Sequence, residues 1–259
     1  RGDLWIASHA GLEFLEKGAN RRQVVWTPAK QGSALGTRSM VGMAASDIGM
    51  VVAVGTKLLQ VAAGREPTVL LDGDAGKIDA IATRKRGGVW IKSSRGLYSF
   101  NRGASRLVAT INAQASSSVV VSNLLDDGRD GVWYGLSGHG LLRVDTERGL
   151  TRWFRGDKGV PGTLPADNIT VLVLDASGLL WAGTEYSGVW TAPSEGSRFR
   201  LILDLPAIAV PISGNNVRAL AARGDAIYIG TEGQGLKRLH RRLDYIEDLS
   251  PWLALALAD

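Results

Sequence analysis

Cysteine is missing altogether from the 259 residues, which excludes a disulfide framework and any thiolate-bound metal centre. Histidine is scarce, with His9, His139 and His240 the three present. No apolar run approaches the roughly 20 residues that a membrane-crossing helix needs. The nucleophile elbow, the phosphate loop and the dinucleotide fingerprint are all absent. Gly135-Leu-Ser-Gly-His-Gly140 has the glycines of such a loop, but reads as a β-hairpin with no helix behind it to receive a phosphate. No leader peptide is visible. The chain begins at Arg1 without methionine and reads as a segment of a larger protein, with targeting signals and any membrane attachment outside it.

Glycine, by contrast, is abundant at 33 residues, with no collagen-like period, and fits many tight turns. Asn168 to Ala192 shows what those turns connect. Ile169 to Leu174 is a continuous apolar run that reads as a buried strand. Asp175-Ala-Ser-Gly178 is a turn, Leu179 to Thr184 a second strand carrying Trp181, and Glu185-Tyr-Ser-Gly188 reverses the chain into a third strand. The same phrase returns around Trp5, Trp90, Trp133 and Tyr228, and in a worn copy around Ala53. Steps of 48, 37, 43, 48 and 47 residues separate these positions. Several short strands per period of about 40 to 50 residues is the pattern of a β-propeller.

The expected fold is therefore all-β, a six-bladed β-propeller of four-stranded antiparallel blades, with residues 1–259 as one domain. Residues 2–30 supply the second to fourth strands of one blade. Further repeats run from Met40 to Leu71, Ile78 to Thr110, Val119 to Phe154, Ile169 to Ile202 and Val217 to Ile246. No first strand precedes Leu4. Leu253-Ala-Leu-Ala-Leu-Ala-Asp259 has the apolar run and closing Asp that Val171 to Asp175 has before its own Trp strand. The C-terminal segment is thus expected to complete the first blade and remove two open strand edges.

Lysine and arginine total 30 against 25 aspartates and glutamates, a net charge of +5. The basic pairs Arg21-Arg22 and Arg241-Arg242, and the triplet Arg84-Lys85-Arg86, fall at turns of different repeats. No aromatic-interleaved stripe tracks a strand as single-stranded nucleic-acid binding would want, so nucleic acid is not expected as a partner.

Hairpins between second and third strands share one face with the loops that enter the first strands. That face is the expected ligand-binding rim: His9, Lys57, Arg95, His139, Glu185, Tyr186, Glu232 and Gln234 from the hairpins, Asn168 and Asn215 from the entry loops. Mixed charge, amides and an aromatic suit a small polar solute or an oligosaccharide. Each of these is also an ordinary turn residue. His9 and His139 occupy equivalent hairpins, but His240 lies late in a third strand and cannot join them, so no metal site is expected. Glu185 and Glu232 match in adjacent repeats and are the one carboxylate pair suited to glycoside hydrolysis. Asp127, Asp175 and Asp225 precede second strands, where capping the turn is their simplest role.

The run from Phe154-Arg-Gly-Asp through Leu164-Pro-Ala-Asp-Asn-Ile169 to Asp175-Ala-Ser-Gly-Leu-Leu-Trp-Ala-Gly-Thr184 and Ser187-Gly-Val189 resembles the two-component regulator propeller repeat. That repeat carries an aromatic, a "gLp…n.I" loop, "D..G.lW.GT" and then "GL". The likeness covers essentially the whole chain, strongly in the last three repeats and weakly around Ala53. It implies a periplasmic sensor portion of a bacterial inner-membrane hybrid histidine kinase or diguanylate cyclase. Such sensors often hold about fourteen repeats in two propellers, whereas six are present here. The expected function is ligand sensing without catalysis or cofactor, with any kinase or cyclase activity outside the segment. Pairing of sensors as a homodimer would be one output. Two other readings stand: a propeller lyase or glycosidase acting on an anionic polysaccharide, and a protein-interaction scaffold.

Overall fold

A turn every five to seven residues leaves each strand too short to bury itself, so the chain folds as a succession of meanders. The computed structural model describes residues 3–8, 11–27, 40–111, 121–136, 138–157, 160, 162–164, 168–194, 198–202, 216–241 and 245–251. Six antiparallel sheets follow one another in chain order. The first has three described strands, β1 (Leu4–Ser8), β2 (Gly11–Leu15) and β3 (Gln23–Trp26). Each of the others has four. Blade 2 holds β4 (Met40–Ser46), β5 (Gly49–Val54), β6 (Lys57–Val61) and β7 (Thr68–Asp72). Blade 3 holds β8 (Ile78–Thr83), β9 (Val89–Ser93), β10 (Gly96–Asn101) and β11 (Ala104–Ala109). Blade 4 holds β12 (Val121–Asp126), β13 (Gly131–Leu136), β14 (Gly140–Asp145) and β15 (Thr151–Phe154). Blade 5 holds β16 (Ile169–Leu174), β17 (Leu179–Thr184), β18 (Val189–Pro193) and β19 (Arg200–Ile202). Blade 6 holds β20 (Val217–Arg223), β21 (Ala226–Thr231), β22 (Gly235–His240) and β23 (Tyr245–Asp248). The repeats read from the sequence and these sheets coincide. The closure expected of Leu253 to Asp259 lies outside the described residues, as do His9 and Asn215.

The residues group into two units, one of residues 1–118 with 146–149, the other of 119–145 with 150–259. In the first unit, Trp5 packs on Val52, Val54, Leu59 and Val61 of blade 2. Blade 2 in turn presents Val51, Ala53 and Leu58 to Ile78, Val89 and Ile91 of blade 3. In the second unit, Trp133 is wholly buried against Ile169, Leu172 and Leu180 of blade 5. Trp181 repeats that contact against Val217, Ile227 and Ile229 of blade 6. Trp5, Trp133 and Trp181 therefore each seal their blade to the next, as large apolar area in one rigid ring allows. The entry loop contributes as well: Leu164 is buried in the Trp133 cluster, and Gly156 bridges to it in parallel. The "L" of the loop motif is thus a core plug.

Glycine after the aromatic has a steric reason. A Cβ at Gly183 would lie 2.6 Å from a Val217 methyl and 2.7 Å from a Val171 methyl. In blade 3 the equivalent residue is Lys92, almost fully buried, with its ammonium 3.2 Å from Asp79.

The turns between first and second strands in blades 4 and 5 are organised by carboxylates. Asp175 Oδ1 accepts from the Ser177 and Leu179 N–H groups and the Ser177 hydroxyl; Oδ2 accepts from Trp181 Nε1 at 2.8 Å and pairs with Arg241 Nη1 at 2.7 Å. Burial raises the Asp175 pKa, but the bonds from Ser177, Trp181 and Leu179 outweigh it and hold it below the ordinary range. Asp127 does the same in blade 4, accepting from the Arg129 and Gly131 N–H groups and from Arg143 Nη2. Both are turn caps, as expected. Among the described residues no helix is long and apolar enough to cross a membrane.

The two tryptophans differ in one respect, because Trp133 Nε1 is buried without a hydrogen-bond partner. Trp181→Phe removes a bond to a charged group and is expected to cost about 1.5–3 kcal/mol. Trp133→Phe is expected to cost clearly less, and equal costs in urea unfolding would refute the distinction. Acid provides a second check. Hydrogen bonds from Lys237 and Ser250 hold Asp248 down at about 2. Its folded pKa is depressed, so its stabilisation is complete above the unfolded value of about 4 and is lost as pH falls toward 2. Asp248→Asn should therefore flatten the fall in stability between about pH 4 and pH 2; an unchanged acid limb would count against the pairing.

Candidate functional site

A β-bulge recurs at one place in five blades, between the first and third residues of the first strand. The register slips at Met40/Gly42, Ile78/Ala80, Val121/Asn123, Ile169/Val171 and Val217/Ala219. A bulge leaves one residue unpaired and re-aims its side chain. In blade 3 that residue is Asp79, which meets Lys92; in blade 5 it is Thr170, whose hydroxyl donates to the Val217 carbonyl of blade 6. In blade 6 it is Arg218, which the bulge turns onto Glu232 of the β21–β22 hairpin.

The second unit carries a polar ladder of two hydrogen-bonded sets at this end of its strands. Gly138, beside His139 in the β13–β14 hairpin, donates its N–H to Asn168 Oδ1 at 2.6 Å. Asn168 Nδ2 donates to Glu185 Oε2 at 2.6 Å, and the Glu185 N–H returns to the Asn168 carbonyl. One blade on, Asn216 Nδ2 donates to Glu232 Oε2 at 2.9 Å, and the Glu232 N–H to the Asn216 carbonyl. Arg218 adds Nε at 2.9 Å and Nη2 at 2.6 Å to the same Glu232 oxygen. Tyr186 stands between the two pairs, 67% exposed. A hydrogen bond to Glu185 raises its pKa, and the charges of Glu185 and Glu232 add to this against Arg218. The phenol is thus neutral at physiological pH and its ring is presented to solvent.

Of the expected rim residues, Asn168, Glu185, Tyr186 and Glu232 are brought together, with His139 beside them. Gln234 lies in the same hairpin as Glu232, and its carbonyl meets the Ser250 hydroxyl at 3.5 Å. Lys57 and Arg95 belong to the first unit. Lys57 pairs with Asp72 at 3.1 Å, and Arg95 donates to the Asp74 carbonyl at 2.9 Å. Arg218 escapes a sequence reading that collects turn residues, because it lies inside a strand. Asn216 takes the position in blade 6 that Asn168 takes in blade 5. Among the described residues no group of three or more His, Asp or Glu side chains is placed to hold a metal. An open cavity of about 580 Å³ lies at the other end of the strands, lined by Ala176, Ser177, Gly224, Asp225 and Arg241.

No family profile matches the chain, and no curated protein does. Solved structures do. The extracellular domain ascribed to the hybrid two-component system BT4673 of B. thetaiotaomicron matches at TM-score 0.65 and 18% identity, over 92% of this chain and 31% of that one. That of BT3049 from the same organism matches at 0.66 and 15%, over 95% and 33%. PorZ, a surface component of the type-IX secretion system of Porphyromonas gingivalis, matches at 0.70 and 14%, over 95% and 40%. The fold is a six-bladed β-propeller. The propeller spans about a third of the length of the two-component domains it matches. At 14–18% identity these likenesses show the fold.

The ladder makes a direct prediction. Glu185→Gln should lower the Tyr186 pKa toward the ordinary value of about 10, read as the difference in phenolate absorbance between backgrounds with and without Tyr186→Phe. No change would mean that Tyr186 and Glu185 do not touch.

Proposed function

We propose that this propeller is the extracytoplasmic sensing module of a bacterial two-component or cyclic-di-GMP signalling protein, and that it binds a small polar ligand, an oligosaccharide, on the Asn168–Glu232 ladder. The observation that carries this reading is the exposed Tyr186 ring flanked by side chains already held in place. A sugar ring stacks on an aromatic face through its C–H groups, while its hydroxyls exchange hydrogen bonds with carboxylates, amides and guanidinium. Glu185 and Glu232 are each fixed by an amide at the end of the entry loop of their own blade, and Glu232 also by Arg218, so little side-chain freedom is lost on binding. Both glutamates serve as acceptors here and neither performs proton transfer. The likeness to extracellular domains of two-component systems supports an extracytoplasmic location, with membrane attachment and the kinase or cyclase in segments beyond these 259 residues.

Ligand held by the Glu185 and Glu232 hairpins would bridge blades 5 and 6. A signal follows only if the ligand binds one arrangement of the module better than another, for instance a homodimer over a monomer. Titration calorimetry of the chain against neutral and acidic oligosaccharides should give a binder whose affinity falls at least tenfold in Tyr186→Ala, with the fold retained. Silence across the panel, or binding indifferent to Tyr186 and Glu185, would remove the site. Sedimentation with and without the binder reads the pairing.

A further inference from the structure

β15 ends its sheet: it bonds to β14 on one side, and no described strand lies on the other. Free strand edges recur in the other blades, but this one is distinctive in its side chains. The sequence Thr151-Arg-Trp-Phe-Arg155 places Arg152 and Phe154 on one face and Trp153 and Arg155 on the other. Arg152 lies over the Phe154 ring at 4.8 Å, and Arg155 over Trp153 at 5.1 Å. The Phe154 face continues into blade 5, where Phe154 meets Phe199 edge-on at 5.7 Å. Arg198 and Arg200, both exposed, flank Phe199 in sequence. None of Arg152, Arg155, Arg198 and Arg200 has a carboxylate partner among the described residues. The contrast within the unit is sharp: on β23, Asp248 is paired with Lys237 and Glu247 with Arg238.

Charged residues on an edge strand commonly serve to keep other strands away. Arginines confined to one sign achieve this only against neutral or basic strands, and they leave an acidic one welcome. A guanidinium placed over an aromatic ring, as those of Arg152 and Arg155 are, can still offer its N–H groups for planar, two-pronged recognition of carboxylates. We infer that the free edge of β15 is a docking site for an acidic extended segment of another protein, which adds to blade 4 as a fifth strand. Its main chain would pair with β15. Its alternating side chains would carry carboxylates to Arg152 on one face and to Arg155 on the other. This surface is separate from the Asn168–Glu232 ladder and does not depend on the reading given to it.

The probe is a fluorescein-labelled octapeptide of glutamate and valine, Glu-Glu-Val-Glu-Glu-Val-Glu-Glu, mixed with the whole chain in an anisotropy titration. Binding is expected, weakening at least tenfold in Arg152→Glu/Arg155→Glu and steeply with added salt. The same peptide N-methylated at alternate residues keeps its charge and loses its strand hydrogen bonds, and should bind at least tenfold more weakly. Near-ultraviolet circular dichroism confirms that the variant is folded, and Arg152→Gln/Arg155→Gln provides a milder second variant. Absence of binding would overturn the inference. So would equal affinity for the N-methylated peptide, or equal Arg152- and Arg155-dependent binding of a single-stranded oligonucleotide or anionic vesicles, which would reduce the edge to a general polyanion surface.

Discussion

In blades 4 and 5 a buried carboxylate that grips backbone N–H groups is what turns the first strand into the second. At Asp175 the cost of removing a charge from water is met by donors that belong to the turn itself, together with Trp181 and Arg241. Those donors fix the turn, the turn fixes the register of β16 on β17, and the register puts Trp181 into the seam with blade 6. Without the carboxylate the indole would lose its partner and the seam its orientation. Blade 4 reaches the same end with other pairs: Asp127 takes Arg143, and Arg143 also takes Asp130 at 2.7 Å. There the indole of Trp133 lies under the Arg143 guanidinium at 5.9 Å.

From the seam outward, function depends on a defect. Regular pairing would direct every side chain of a first strand alternately to its two faces. The repeated bulge breaks that alternation one residue from the strand's start, where the chain has just left the entry loop. Thr170 and Arg218 owe their directions to it. The ladder therefore combines amides from loop ends, carboxylates from hairpins and one guanidinium from a bulge, each supplied by a different element of two neighbouring blades. Precision comes from the strands, and variety from the turns.

Much of this is written openly in the chain. The spacing of Trp90, Trp133, Trp181 and Tyr228 gives the blades, and the alternation of glycine-bearing turns gives the strands within them. Glu185, Glu232 and Asn168 are legible as neighbours because they recur at matching places. Arg218 is not, since a bulge arises from register and packing, and Val217-Arg-Ala-Leu reads as plain alternation. Leu164 is equally hidden: in a loop rich in proline and glycine it has the look of a surface residue, yet it fills the Trp133 cluster. The split of the expected rim, with Lys57 and Arg95 engaged by Asp72 and Asp74, depends on partners that no spacing rule supplies.

Blade 3 departs from the rule in a telling way. Arg84 stands where the turn aspartate belongs and lies over Trp90 at 5.2 Å. The carboxylate comes instead from Asp47 of blade 2, whose Oδ1 accepts the Gly88 N–H at 2.5 Å. The chemical unit is thus offset from the sheet it serves. Copying, deleting or transplanting the segment Ile78 to Thr110 alone would carry off a turn and leave its anion, Asp47, behind.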